Sequence, residues 1–291
     1  MEFISASKLV QTVDSNHSWF DTSFNMNTYR GCNQGCIYCD SRSSCYKILK
    51  FDTIKAKVDA PKKVEYELSF KRKKGIIGLG GMSDPYNQYE AELNYTRDSL
   101  KSMNKYRFGA FIITKSDLVL RDIDLFKKIN NHSVCNIALT ITTSDDLLQK
   151  TIERNSSTTS ERFEAIRQLS KEGLFAGILM MPLLPFINDT IENITGIVEQ
   201  ANAANAKYIY PSFGVTLRDN QRDYFLDKIG PDLKKKYIDA FGDSYMCVSP
   251  IHKELRKHFE ELCNKYGILY EMNDIIRESR KHIKTTQMSL F

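Results

Sequence analysis

Short apolar, β-rich runs alternate with longer amphipathic ones from about residue 22 to 213. The apolar runs predict strands over Phe24–Tyr29, Gly75–Leu79, Ala110–Thr114, Asn136–Thr142, Phe175–Met181 and Tyr208–Pro211. Between them, helical patterns cover Lys62–Arg72, Glu90–Lys105, Asp122–Asn130, Ser144–Arg154, Ser160–Glu172 and Asp189–Ala204. Thr158, Thr159 and Ser160 offer hydroxyl caps with Glu161 in the first turn, as a helix start requires. Gly173 follows Lys171-Glu172 where a helix ends. Strand–helix repeats of this kind imply an α/β fold with a parallel sheet, and their count fits a partial, open (β/α)6 TIM-like barrel. Such a barrel places its chemistry at the C-terminal ends of its strands. From Phe213 onward the pattern is an irregular connection and helices around Pro231–Phe241 and Ser249–Tyr266, a C-terminal helical extension. Residues 1–270 are therefore expected as one domain, and residues 271–291 as a tail.

Directly after the first strand stands Tyr29-Arg30-Gly31-Cys32-Asn33-Gln34-Gly35-Cys36-Ile37-Tyr38-Cys39. A C-x3-C-x2-C run puts three thiols on one short Gly-flanked loop. Thiolates suit zinc and iron–sulfur clusters. Structural zinc usually takes four ligands from two separated pairs. Three ligands on one loop suit a [4Fe–4S] cube with one iron left open, and an open position marks a catalytic site. A four-thiolate site completed by Cys45, holding zinc or a cluster in a non-catalytic nucleic-acid-binding module, is the alternative. Cys45, Cys135, Cys247 and Cys263 otherwise read as ordinary thiols. The spacing resembles the signature of the radical S-adenosylmethionine (SAM) enzymes, whose open iron chelates the amino and carboxylate groups of SAM.

Composition narrows the setting. The 291 residues, 42% hydrophobic and 26% charged, suit a soluble globular protein. No apolar run reaches spanning length, and no secretion signal is visible at the N-terminus. Seven cysteines, three of them clustered, do not look like a disulfide framework, so a reducing cytoplasm is expected. A net charge of +5 points weakly to an anionic partner.

The strand ends carry further candidates. Gly80-Gly81 end the second strand and allow backbone to approach a ligand closely. Lys115 ends the third, and alternating Thr140 and Thr142 end the fourth. Glu153 and Arg162 stand on helical patterns, where surface ion pairing is the expectation.

Together these pieces resemble the spore photoproduct lyase-like, DNA-repair-photolyase branch of the radical SAM superfamily, over about residues 20 to 215. The resemblance is carried by the cysteine loop, Met82-Ser83-Asp84-Pro85-Tyr86, Thr114-Lys115-Ser116, Leu120-Arg121-Asp122, Arg162 and the stretch Pro182 through Asp189. It implies cluster ligation by Cys32, Cys36 and Cys39. It also implies SAM contacts from Gly80, Gly81, Ser83, Lys115 and Thr142, with a catalytic Tyr38 beside the cluster. A 5′-deoxyadenosyl radical, a DNA or RNA substrate and a reductant such as flavodoxin or ferredoxin follow from the same resemblance. A peptide or small-metabolite substrate is the alternative.

Three departures bear on the reaction. The family's hydrogen-donating cysteine after strand two is absent from Gly81-Met82-Ser83, and the tyrosine after the third cluster cysteine is Asp40. The proline-rich turn near Glu153 is Ser156-Ser157-Thr158. The final Gln287-Met288-Ser289-Leu290-Phe291 resembles a sliding-clamp docking peptide, with Leu290 and Phe291 entering an apolar pocket and Gln287 hydrogen-bonding at its rim.

Overall fold

A computed structural model describes residues 1–14 and 19–283. Six strands form the frame: β1 (Thr22–Met26), β2 (Ile76–Leu79), β3 (Gly109–Thr114), β4 (Cys135–Thr140), β5 (Phe175–Met180) and β6 (Ile209–Pro211). They lie side by side in sequence order, each parallel to its neighbour, and Val10–Thr12 adds an antiparallel edge beyond β1. Helices Ala60–Phe70, Tyr95–Lys105, Ile123–Asn130, Thr159–Lys171 and Ile191–Ala203 make the crossovers. The architecture is the expected partial (β/α)6 barrel.

Alternation along each strand sends successive side chains to opposite faces. Ile77, Ile112, Ile137 and Ile178 pack toward the helices, while Ile76, Phe111, Ala138, Phe175 and Leu179 fill the concave side. Both faces are buried, which explains the near-continuous apolar runs in the sequence. Phe20 stacks on Phe111 at 4.4 Å within the concave layer.

Local differences from expectation have physical causes. The first strand ends at Met26, and Tyr29–Arg30 pairs instead with Lys55–Lys57, in a separate sheet that turns the chain toward the cysteine loop. The helical stretch starting at Glu90 breaks at Asn94, which is left-handed with φ 57°.

Beyond β6, Gly214–Thr216 pairs antiparallel with Met246–Val248, and helices Asp219–Lys228 and Pro231–Phe241 lie between them. Helix His252–Tyr266 packs on Ile191–Ala203. Within the stretch expected as a tail, Met272–Lys281 is a helix whose Ile275 is buried in the concave layer, and Arg280 pairs with Asp21 at 2.6 Å. Gln287, Leu290 and Phe291, the suggested clamp-docking residues, lie outside the described residues. Among the described residues no helix is long and apolar enough to cross a membrane.

Candidate metal and cofactor site

The cysteine loop is anchored from two sides. At its start, Gly31 has φ +81°, and a Cβ there would meet the carbonyl oxygens of Thr53 and Phe51 at 2.5 and 2.7 Å. That close approach lets the Cys32 N–H donate to the Phe51 carbonyl at 2.9 Å. On the other side Cys36 forms a β-bridge with Glu153, and the Ile37 N–H donates to the Ile152 carbonyl at 3.0 Å. The Asn155 N–H donates to the Gln34 carbonyl at 3.1 Å.

Held this way, Cys32, Cys36 and Cys39 line one cavity of about 120 Å³ together with Gly80, Gly81, Ser83 and Lys115. Burial pushes the Cys32 thiol up to about 12 and raises Cys36 and Cys39 as well, with Lys115 opposing the rise at the latter two. Without metal the three groups are thus thiols at neutral pH, and metal binding must release their protons. Among the described residues no three His, Cys, Asp or Glu side chains converge at single-ion distance. Cys45 is exposed on the turn Ser44–Tyr46 and does not line the cavity, so the alternative four-thiolate arrangement is not assembled here. Cys135, Cys247 and Cys263 are buried elsewhere.

The two glycines after β2 have separate tasks. Gly80 has φ +99°, and a Cβ on it would collide with the Ile113 carbonyl of β3. Gly81 is exposed, and a Cβ on it would meet nothing within 4 Å, so its backbone faces open space beside the thiols. Asp84, given no role from sequence, proves central. Its Oδ1 accepts from Thr114 Oγ1 at 2.6 Å and the Tyr86 N–H at 2.9 Å. Its Oδ2 accepts from Gln34 Nε2 at 3.0 Å and the Lys115 N–H at 2.9 Å. One buried carboxylate therefore ties the cysteine loop to the ends of β2 and β3. The signal available in the sequence was its place one residue after Ser83, in a turn ending in proline.

Lys115 is partly buried with its ammonium 5.6 Å from the centre of the Tyr38 ring. Burial disfavours its charge, but attraction to Cys36, once that thiol is ionised, and to Glu153 holds its pKa above the ordinary lysine value. Tyr38 is buried and donates its O–H to Glu153 Oε1. Glu153 Oε2 meets Arg162 Nη1 at 2.5 Å, off the hydrogen-bond direction, so the contact is one of charge. Arg162 is further held by the Thr140 and Ser157 carbonyls, each at 2.8 Å. The expectation of surface ion pairing for Glu153 and Arg162 is corrected: both lie in the interior behind the cysteine loop, because their helices end or begin there rather than continue across the surface.

Thr142 does not line the cysteine cavity; Thr140 does. The strand ends at Thr140, and the chain then turns so that the Thr142 carbonyl accepts from Asn188 and Asn193, at 2.8 and 3.0 Å. The Thr142 hydroxyl is buried without a hydrogen-bond partner.

The Radical SAM superfamily model matches residues 26–196, well over half of the chain. The chain belongs to the Radical SAM superfamily. An uncharacterized protein of Methanocaldococcus jannaschii is 35% identical over 174 residues, 59% of this chain and 64% of that protein, so this chain spans less than two thirds of that relative's length. An uncharacterized protein of Mycobacterium tuberculosis (strain H37Rv) is 24% identical over 280 residues, covering 92% of this chain and 82% of its own. Among solved structures, a spore photoproduct lyase mutant with bound AdoMet and dinucleoside spore photoproduct superposes with TM-score 0.64 at 11% identity, covering 90% of this chain and 78% of that one. A radical SAM methyltransferase from Kitasatospora setae, with tryptophan and a SAM analogue bound, gives TM-score 0.55 at 12% identity over 82% of this chain and 51% of its own.

Radical SAM proteins use a [4Fe–4S] cluster and SAM, and the donor set here fits both. Three thiols on one loop face a common cavity, so each can hold a different iron while a fourth iron stays open. Around that cavity, Lys115 offers a cation for a carboxylate, and the unobstructed Gly81 and the Ser83 side chain offer polar contacts. A larger cavity of about 390 Å³ adjoins it, sharing Cys39, Ser41, Gly80, Gly81, Ile113 and Thr140. Its other walls include Trp19, Tyr38, Tyr46, Met181 and Pro182.

Proposed function

We propose that this protein is a radical SAM enzyme acting on a nucleic acid, in a reaction related to, but chemically distinct from, photoproduct reversal. Bound together, the reduced cluster and SAM supply a hydrogen-abstracting agent, the 5′-deoxyadenosyl radical. Cys32, Cys36 and Cys39 would hold the cluster. Lys115, Ser83 and the Gly80-Gly81 backbone would hold the amino-acid end of SAM, and a flavodoxin or ferredoxin would supply the electron.

The observation that carries the substrate reading is the larger cavity. It opens from the cysteine cavity and is walled by the flat rings of Trp19, Tyr38 and Tyr46, which suit a planar heterocycle such as a nucleobase. The likeness in fold to a lyase solved with a dinucleoside lesion supports the same class. No thiol stands in Gly81-Met82-Ser83, so a product radical would have to be quenched by another donor than in the thymine-dimer lyases.

The test is an anaerobic assay for 5′-deoxyadenosine across ultraviolet-damaged DNA, undamaged DNA, RNA and cell-extract peptides. Formation stimulated by a nucleic acid supports the proposal. Stimulation by peptides alone would move the enzyme to the peptide-modifying class.

A further inference from the structure

Residues 216–224 lie beyond the span matched to the superfamily, yet they grip the cysteine loop. Arg218 forks onto Asp40, with Nε 3.0 Å from Oδ1 and Nη2 2.5 Å from Oδ2. Tyr46 completes this cluster, donating its O–H to Asp40 Oδ2 at 2.7 Å and accepting from Arg218 Nη2 at 2.9 Å. Gln221, fully buried, donates from Nε2 to the Tyr38 carbonyl at 3.1 Å and to the Thr216 carbonyl at 3.3 Å. Farther along, Ser43 and Ser44 donate to Asp219 at 2.8 and 3.1 Å, and the Arg42 guanidinium lies 3.8 Å over the Tyr224 ring.

Two of these grips fall on the residues flanking Cys39: Gln221 on the backbone of Tyr38, Arg218 on the side chain of Asp40. We propose that residues 216–224 form a clasp that fixes Cys39, with Arg218 and Gln221 as positioning residues for the metal centre. A fork of two parallel hydrogen bonds fixes direction as well as distance, which a point contact does not. Removing Gln221 would take its hydrogen bond from the buried Tyr38 carbonyl, so the loop would shift to regain one. The clasp is not needed merely to keep the segment in place. Leu217, Phe225 and Tyr237 already share an apolar core with Ile37 and Tyr38, so the fold persists when the polar grips are cut. Thr216 and Gly214 also line the larger cavity, so the segment that steadies Cys39 is also a wall of the space beside it.

The experiment uses the full chain, first metal-free and then reconstituted. Arg218→Ala, Arg218→Lys and Gln221→Ala are treated with iodoacetamide, and the alkylation rate of each cysteine is read by peptide mass spectrometry. Cys135, buried on β4, reports global opening. Loss of one charge-assisted contact should raise Cys39 alkylation about tenfold through local opening, with Cys32 and Cys135 unchanged. Arg218→Lys should fall between wild type and Arg218→Ala, and in the reconstituted variants the cluster should bleach faster in air. An unchanged Cys39 rate in all three variants overturns the clasp. So does a rise at Cys135 in step with Cys39, which would make these residues supports of the whole fold. The inference rests on the metal-centre assignment. Failure of the wild-type chain to take up iron would refute that assignment, whereas unchanged alkylation refutes only the clasp.

Discussion

Glu153 and Arg162 meet at 2.5 Å with 1% and 0% of their side chains exposed, directly behind Cys36 and Tyr38. Both are charged groups removed from water, and each depends on the other. Arg162→Ala leaves the buried Glu153 carboxylate with only Lys115 and the Tyr38 hydroxyl to oppose its burial, and should destabilise the fold by about 3–5 kcal/mol. Chemical denaturation of the metal-free protein measures it. A loss below about 1 kcal/mol would mean that water reaches Glu153.

The same pair sets an acid limit. Burial works against the Glu153 charge, but Arg162 and Lys115 prevail and hold its carboxyl below the ordinary 4.5. A depressed carboxylate pKa contributes stability that is fully present above pH 4.5 and is lost as pH falls through the folded value. Stability measured from pH 6 to about pH 3 should therefore fall less steeply in Glu153→Gln than in wild type. Equal slopes would remove Glu153 from the acid response.

The glycines after β2 should separate cleanly. Gly80→Ala places a Cβ against the Ile113 carbonyl at φ +99°, and should cost about 1–3 kcal/mol of stability or more. Gly81→Ala meets nothing within 4 Å and should fold normally while weakening SAM binding. Thermal melts and SAM titration of the two variants check this, and the opposite pattern would reverse the two roles.

Lys115→Met should retain the cluster and lose about tenfold in SAM affinity, since a charge-assisted contact to the carboxylate would be gone. Equilibrium binding at two salt concentrations, with iron content measured in parallel, reads both. Unchanged affinity would place the carboxylate elsewhere.

How much of this was legible in the chain depended on whether a local pattern or a distant partner decides. The barrel was readable because strands buried on both faces must be apolar throughout, and the meeting of Cys32, Cys36 and Cys39 in one cavity because a single short loop carries all three. Glu153 and Arg162 were misplaced because a helix pattern records which residues face the sheet, not what lies at the helix end. Asp84 gives no sign in sequence of the four groups it joins, which come from the cysteine loop, its own turn and the end of β3. Thr140 rather than Thr142 reaches the cavity because the strand stops one residue after Leu139 and the carbonyl of Thr142 is taken by Asn188 and Asn193. Arg218 and Gln221 carry no motif, and their link to Tyr38 and Asp40 spans more than 170 residues of chain.

Ligation by exactly the three loop cysteines bears on everything above. Single Cys32→Ala, Cys36→Ala and Cys39→Ala variants should lose most iron and sulfide on anaerobic reconstitution, and Cys45→Ala should keep both. Comparable loss in Cys45→Ala would restore the four-thiolate alternative.

The most direct measurement is the electron paramagnetic resonance spectrum of the reconstituted, reduced protein with and without SAM. A reduced [4Fe–4S] signal that changes on adding SAM is the predicted result, because a cluster held by three cysteines would leave one iron free to take SAM as its ligand. A cluster signal identical with and without SAM, or no cluster at all, would contradict the account.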